Sequence, residues 1–311
     1  ACGDHSAVKL LKSRGAAVRK IGAHLRGLHA AGFGTESVPQ IVLAASSLRL
    51  VGNGSAMSSA TSLQTSKMRA LNELSVSGYS IGPKELLSIA QCAGLQTLNL
   101  SDNSIGAEIG AKQLAKALRV NRVILTLNLY NNGIGAEGCK ALAEALSVNG
   151  TLQRLNLYNN GIGTEGCEAL AEALSVNVVL KTINLGSNSI GVEGGRALAR
   201  ALQVNKHLRS INLRYNAISA DGGRALAEAL HVNRSLETLD VRNNAIGQEG
   251  GKALNGALKV NSSLKRLEMS NYTAIQGLSD SIEGRSSTAQ QHDRLRAVLK
   301  VRQSSGEGPR P

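Results

Sequence analysis

A single unit recurs along most of this chain, and it decides what the chain can fold into. In Leu152-Gln153-Arg154-Leu155-Asn156-Leu157-Tyr158-Asn159-Asn160-Gly161-Ile162-Gly163, apolar residues hold the first, fourth, sixth and eleventh places. An Ala/Leu-rich stretch through Leu174 follows at once. The unit starts again at Leu95, Ile124, Leu152, Leu180, Leu208, Leu236 and Leu264, in one step of 29 residues and five of 28. A unit this short cannot bury its own apolar face. Neighbours must stack into a solenoid with one continuous core, each touching mainly the units beside it.

Each unit divides into a strand half and a helix half. Leu-x-Leu alternates with period two, which turns the apolar pair inward and its neighbours outward. An asparagine closes the strand at Asn103, Asn132, Asn160, Asn188, Asn216 and Asn244. Its side chain carries both donor and acceptor, so a stacked column can satisfy backbone groups where the chain leaves the sheet. This column therefore reads as structural. Ile105, Ile134, Ile162, Ile190, Ile218 and Ile246 follow as inward plugs, and Gly comes next in all of these units but one, which has Ser219. In the second half, Ala141, Leu142, Ala145 and Leu146 share one side of a helix. Glu137, Glu165 and Glu193 fall in the first turn, where negative charge suits the helix dipole. Val-Asn ends most of these helices, at Asn149, Asn177, Asn205, Asn233 and Asn261, and reads as a left-handed helix stop. Strand and helix alternating in 28 residues predict an α/β solenoid with a parallel sheet inside its curve and helices outside.

The chain divides into four stretches. Residues 95–272 are the regular array. Residues 45–94 read as degenerate leading repeats: Leu71, Leu74, Val76, Ile81 and Gly82 keep the pattern, while Tyr79 replaces the expected Asn. The next unit starts only 24 residues after Leu71, so the helix beginning near Pro83 must be short. Ala45, Leu48, Leu50 and Asn53 fit weakly, and the Ser/Gly/Ala-rich run 52–66 reads as a loop. In residues 1–44, Val18, Ile21, Leu25 and Leu28 mark one face of a basic helix, which Gly32, Gly34 and Pro39 end. Three readings compete for that helix: a cap on the open end of the array, an organelle-targeting segment, or a surface for membrane or nucleic acid. In residues 273–311 a polar linker at 276–290 precedes a basic helix at 289–302, read as a cap or docking element, and a short tail.

Composition narrows the chemistry. Aromatics are only 2%, with no Trp and Phe33 the single Phe, so the core must be aliphatic. The net charge of +13 is densest before the array, where acidic protein, RNA or anionic lipid are the natural partners of the basic termini. Cys2, Cys92, Cys139 and Cys167 form no metal-ligand or redox spacing. Cys139 and Cys167 share a column with Gly195, Gly223 and Gly251, as expected of a small buried residue, and a reducing intracellular setting follows, cytoplasmic or organellar. No apolar run approaches the roughly 20 residues that span a bilayer. The six histidines are scattered and unpaired with any nucleophile, so neither catalysis, nor a metal, nor a cofactor is expected.

The unit Leu-x-x-Leu-x-Leu-x-x-Asn-x-Ile-Gly-x-Glu-Gly-x-x-Ala-Leu-Ala-x-Ala-Leu resembles the ribonuclease-inhibitor-like class of leucine-rich repeat. Within that class it is most similar to the repeat regions of NOD-like receptors. The resemblance implies a horseshoe whose concave sheet binds protein partners. NOD-like receptors also carry a nucleotide-binding module, but no phosphate loop of the form Gly-x-x-x-x-Gly-Lys-Ser/Thr occurs here. Ran-type GTPase activators resemble this class too. They typically end in a strongly acidic segment, whereas this tail is basic.

If the first, fourth and sixth positions point inward, then the second, third, fifth, seventh and eighth face the concave side. Tyr and Arg are enriched at binding hot spots. That selects Tyr130, Arg154, Tyr158, Arg214, Tyr215 and Arg242 as the candidate partner surface. A competing reading is that Tyr130 and Tyr158 are copies left by duplication, since Leu-Tyr-Asn-Asn-Gly-Ile-Gly is identical in both units. The expected function is non-enzymatic protein binding or scaffolding. The alternatives are regulation of a small GTPase, or an accessory subunit of a large, possibly organellar assembly. Seven Lys/Arg against Asp102, Glu237, Asp240 and Glu268 make this face only mildly positive, which argues against nucleic acid as its main ligand.

Overall fold

The computed structural model describes residues 40–43, 47–51, 71–90 and 92–270. The helix expected around residues 18–28, the loop at 52–66 and the linker and helix at 276–302 lie outside the described residues.

Ten strands form one sheet in chain order. They are β1 (Gln40–Leu43), β2 (Ser47–Val51), β3 (Glu73–Ser77), β4 (Thr97–Asn99), β5 (Thr126–Asn128), β6 (Arg154–Asn156), β7 (Thr182–Asn184), β8 (Ser210–Asn212), β9 (Thr238–Asp240) and β10 (Arg266–Glu268). From β2 onward every pairing is parallel and in register, so that Leu98, Leu127, Leu155, Ile183, Ile211, Leu239 and Leu267 form one column. All seven are buried. β1 departs from the wholly parallel sheet expected from the repeats, because it pairs antiparallel with β2. An open sheet edge leaves a row of backbone donors and acceptors unpaired. The short β1–β2 hairpin covers that edge with four residues that the repeat pattern had left outside the array.

Behind the sheet stand α1 (Pro83–Ala90), α2 (Lys112–Val120), α3 (Gly135–Val148), α4 (Gly163–Val176), α5 (Gly191–Val204), α6 (Ser219–Val232) and α7 (Gly247–Leu258). Helix and strand side chains meet in one continuous aliphatic core. The architecture is an α/β leucine-rich repeat solenoid.

The single 29-residue step has a local cause. A π-helical turn at Gly106–Ala111 runs straight into α2, whereas the equivalent stretch of the next repeat, α3, is a 14-residue α-helix. Aligning Gly-Ala-Glu-Ile-Gly-Ala with Gly-Ala-Glu-Gly-Cys identifies Ile109 as the extra residue. The wider π turn takes up one inserted residue without shifting the core positions on either side. Ile109 is ejected to solvent, 61% exposed. Deleting Ile109 is expected to restore an α-helical turn and leave stability within about 1 kcal/mol, as for other surface changes. A denaturant melt checks this, and a loss well beyond that value would mean the π turn itself is needed.

The helix stops correct an expectation. Asn149, Asn177, Asn205 and Asn233 are extended rather than left-handed, with φ between −75° and −68°. Their side chains are the reason. Asn177 Nδ2 donates to Leu146 O at 2.7 Å in the previous repeat, while its Oδ1 accepts from the Val179 and Leu180 N–H groups at 2.9 and 2.7 Å. The same pattern holds from Asn121 to Asn261. These residues form a buried ladder at the helix-exit edge, parallel to the one at the strand-exit edge.

In that first ladder, Asn160 Nδ2 donates to Leu129 O at 2.8 Å, and Asn160 Oδ1 accepts from Asn132 N at 3.0 Å. It begins at Asn103, whose Oδ1 accepts from the Tyr79 backbone N–H at 2.9 Å. Tyr79, standing in the Asn position, has no amide to extend the column.

Cys139 and Cys167 are fully buried between neighbouring helices. Burial pushes the Cys139 thiol up to about 12 and raises that of Cys167 as well. An ordinary thiol ionises near 8.5. Both cysteines should therefore resist iodoacetamide at pH 8.5 in the native protein and react once it is unfolded, as read by mass spectrometry. Alkylation at equal rates in the two states would refute their burial.

Candidate protein interface on the concave face

The fifth residue of each unit sits at the end of the strand and is partly buried, or fully so at Asp240. Its side chain folds back onto the backbone: Asn128, Asn156 and Asn212 Oδ1 accept from the N–H groups of Tyr130, Tyr158 and Arg214 at 3.0–3.1 Å. Such Asx turns fix where the seventh residue points. The fifth column, read from the sequence as a free concave position, is thus part of the scaffold that aims the seventh.

Two aromatic side chains follow from this aiming. Tyr130 and Tyr158 stack with ring centroids 5.5 Å apart and planes 16° apart. Beyond them the Tyr158 ring lies over Gly186, where an added Cβ would stand 2.6 Å from Tyr158 Cδ2. Glycine at that place makes room for the ring. Arg154 is exposed on the adjoining strand and donates from Nε to Thr126 Oγ1 at 3.1 Å.

The next repeats carry charge instead. Arg242 forms a two-point contact with Asp240, Nε–Oδ1 at 2.9 Å and Nη2–Oδ2 at 2.6 Å, and reaches Glu268 Oε2 at 2.8 Å. The hydrogen bond to Asp240 raises the guanidinium above its ordinary pKa. Arg214 Nε is buried and lies 4.0 Å from Asp240 Oδ2. The Arg214 guanidinium also stands 5.2 Å from the Tyr215 ring centroid, within cation–π range.

The six candidates therefore fall into two groups. Tyr130 and Tyr158 touch, with Arg154 on the strand beside them. Arg214 and Arg242 meet at Asp240, and Tyr215 lies against Arg214. Glu268 and Asp240 were not among the candidates. Their signal was present in the sequence: the fifth position changes from Asn to acid at Asp240, two residues before Arg242, and at Glu268 one repeat further on.

The eighth position has a backbone constraint. Asp102, Asn131, Asn159, Ser187, Tyr215 and Asn243 all have φ between +52° and +59°. Asn and Asp tolerate this left-handed conformation, and their side chains link up here, Asn131 Nδ2 to Asp102 Oδ1 and Asn159 Nδ2 to Asn131 Oδ1, both at 2.9 Å. Tyr215 departs from the column, a bulky residue held in left-handed conformation and 49% exposed.

Among the described residues, no group of three or more His, Cys, Asp or Glu could hold a metal ion. No helix among them is long and apolar enough to cross a membrane. His207 and His231 are exposed.

A parallel sheet closed by an asparagine column and backed by one helix per unit defines a leucine-rich repeat protein. Six segments, residues 91–112, 120–143, 148–171, 176–199, 204–227 and 232–254, match the leucine-rich repeat family model. No curated protein matches the sequence. Among solved structures, the chain is similar to leiomodin-1 actin-binding site 2, at 25% identity and a TM-score of 0.43, over 49% of this chain and 86% of that one. It is also similar to the tropomodulin C-terminal domain of Caenorhabditis elegans, at 19% identity and a TM-score of 0.43, over 51% and 92%.

Proposed function

We propose that this chain is a non-enzymatic interaction module that binds a protein partner on its concave face, through Tyr130, Arg154, Tyr158, Arg214, Tyr215 and Arg242. Tyr215 is the observation that carries the reading. A left-handed conformation costs a residue with a side chain about 1–2 kcal/mol. The equivalent places in other repeats hold Asp, Asn or Ser, which bear it more easily. Tyr215 gains no core burial in return and keeps about half its surface in solvent. Strain retained at an exposed aromatic points to recognition. The resemblance of the unit to ribonuclease-inhibitor-like and NOD-like receptor repeats supports the same reading. Buried Cys139 and Cys167, neither in a disulfide, support a reducing compartment.

The test uses opposite signs. Tyr215→Asn should raise stability by about 0.5–1 kcal/mol, because it relieves the backbone, while weakening partner binding. Tyr158→Ala and Arg214→Ala should each weaken binding about ten-fold or more, as hot-spot truncations do. The partner is first captured by affinity purification on the full chain, and its dissociation constant is then measured against each variant. Unchanged affinity in all three folded variants would refute the proposed surface.

A further inference from the structure

The two long edges of the solenoid carry opposite charge. At one edge each strand ends and the following helix begins: residues 101–110, 130–138, 158–166, 186–194, 214–222 and 242–250. These segments hold seven Asp/Glu and two Lys/Arg. At the other edge each helix ends and the next strand begins: residues 119–126, 147–154, 175–182, 203–210, 231–238 and 259–266. Here ten Lys/Arg stand against one acid, Glu237, and all ten are exposed. Helix dipoles favour acids at helix starts and bases at helix ends, which accounts for part of this polarity. They do not account for Lys181 and Arg209, which stand at the starts of strands.

The basic edge is also apolar. Each helix from α2 to α6 ends in an exposed valine, Val120, Val148, Val176, Val204 and Val232, and Val260 continues the row just past α7. Seven of the nine exposed large apolar side chains among the described residues lie on this edge. Among the described residues nothing covers them. With neighbouring helices about 8–10 Å apart, six valines make a row on the order of 40–50 Å long. One turn earlier the helices carry Lys116, Glu144, Glu172, Arg200 and Glu228, so the charge is mixed on the helix side of the row and cationic on its strand side.

We infer that this edge docks on an anionic phospholipid membrane. A bilayer surface is flat over that length. Its anionic headgroups attract Lys and Arg, and its interface accepts shallow apolar side chains. Nucleic acid would use the charge but not the valines, and among the described residues this edge has no Phe, Tyr or Trp ring for base stacking, only the exposed imidazoles of His207 and His231. Lys181, Lys206 and Lys259 make no side-chain hydrogen bond or ion pair among the described residues, so their charges are unengaged by the fold. Arg154 belongs to both this edge and the proposed partner surface, and Lys181, Arg209, Lys265 and Arg266 stand where the edge borders the concave face; the lysines and valines substituted in the test are not among the six of the partner surface, so vesicle binding and partner binding are read separately.

The test is co-sedimentation of the full chain with vesicles of phosphatidylcholine alone or with 30% phosphatidylserine (~30%, a physiological anionic fraction). The wild type should bind the anionic vesicles and not the neutral ones. Lys181→Gln/Lys206→Gln/Lys259→Gln should lower partitioning on the order of a hundred-fold, about five-fold for each charge removed. Val148→Ser/Val176→Ser/Val204→Ser should lower it about ten-fold with the charge intact. Circular dichroism and a thermal melt confirm that both variants fold. Absence of wild-type binding, or equal binding to neutral vesicles, overturns the inference. So does full binding by the lysine variant, which would assign the attraction to the basic termini. If the lysine variant loses binding and the valine variant keeps it, the edge is a general polyanion surface and the membrane assignment fails.

Discussion

An Asn160→Ala variant should unfold about 4 kcal/mol more easily than the wild type in a denaturant titration, a loss typical of breaking a buried hydrogen-bond network. The side chain is 2% exposed and makes four hydrogen bonds. Its Oδ1 accepts from Asn132 N at 3.0 Å and Ile134 N at 3.3 Å. Its Nδ2 donates to Leu129 O at 2.8 Å and Tyr158 O at 3.2 Å. Alanine removes all four bonds at once and leaves two backbone N–H groups and the Leu129 carbonyl unsatisfied in the interior, while Tyr158 O keeps the Asn131 N–H at 3.0 Å. Each such group costs about 1–3 kcal/mol, and partial entry of water recovers some of it. The damage spans three strands' worth of chain, because Asn160 bonds backward into the preceding repeat and donates its own N–H to Asn188 Oδ1 of the next at 2.9 Å. A loss under about 1 kcal/mol would show that the ladder is dispensable.

Gly166→Val should cost about 3 kcal/mol by overpacking. A Cβ at Gly166 would stand 2.8 Å from Ile162 Cγ2, 3.0 Å from Cys139 Cβ and 3.1 Å from the Ala136 Cα. The last two belong to α3, so the helices would have to move apart. A change at Gly256 provides the contrast. It too lies inside a helix, but nothing stands within 4 Å of a Cβ built there. Gly256→Ala should stabilise the protein by about 0.5–1 kcal/mol through backbone entropy alone. If thermal melts move the same way for both variants, close helix packing is not the reason for the glycine column.

Much of this fold is legible in the sequence because the repeats turn a three-dimensional problem into columns. Leu155, Leu157 and Ile162 recur at places whose burial follows from period two and from stacking. The same holds for the small residues around Cys167. What escaped the columns depended on contacts between units. Asn177 looks like a left-handed stop because isolated asparagines often are one. Its extended backbone makes sense only when Leu146 of the preceding repeat is there to accept its amide. The extra residue of the 29-residue step was visible, but only the helix geometry showed that a π turn absorbs it. At the candidate interface, the outward aim of Tyr158 was legible from alternation. The strain on Tyr215 was not, because no column of residue types reports a φ angle. Nor was the engagement of Arg242, which needs Asp240 and Glu268 placed on adjacent strands.

The two asparagine ladders have a mechanical consequence. One runs along each margin of the solenoid, and in both the amide reaches the preceding repeat at 2.6–2.8 Å. A strip riveted along one margin can still flex about that margin, opening and closing like a fan. A strip riveted along both cannot change its curvature without stretching one row of rivets or crushing the other. The concave face is therefore a template of fixed radius. A partner bound there, as proposed, would have to match its arc already.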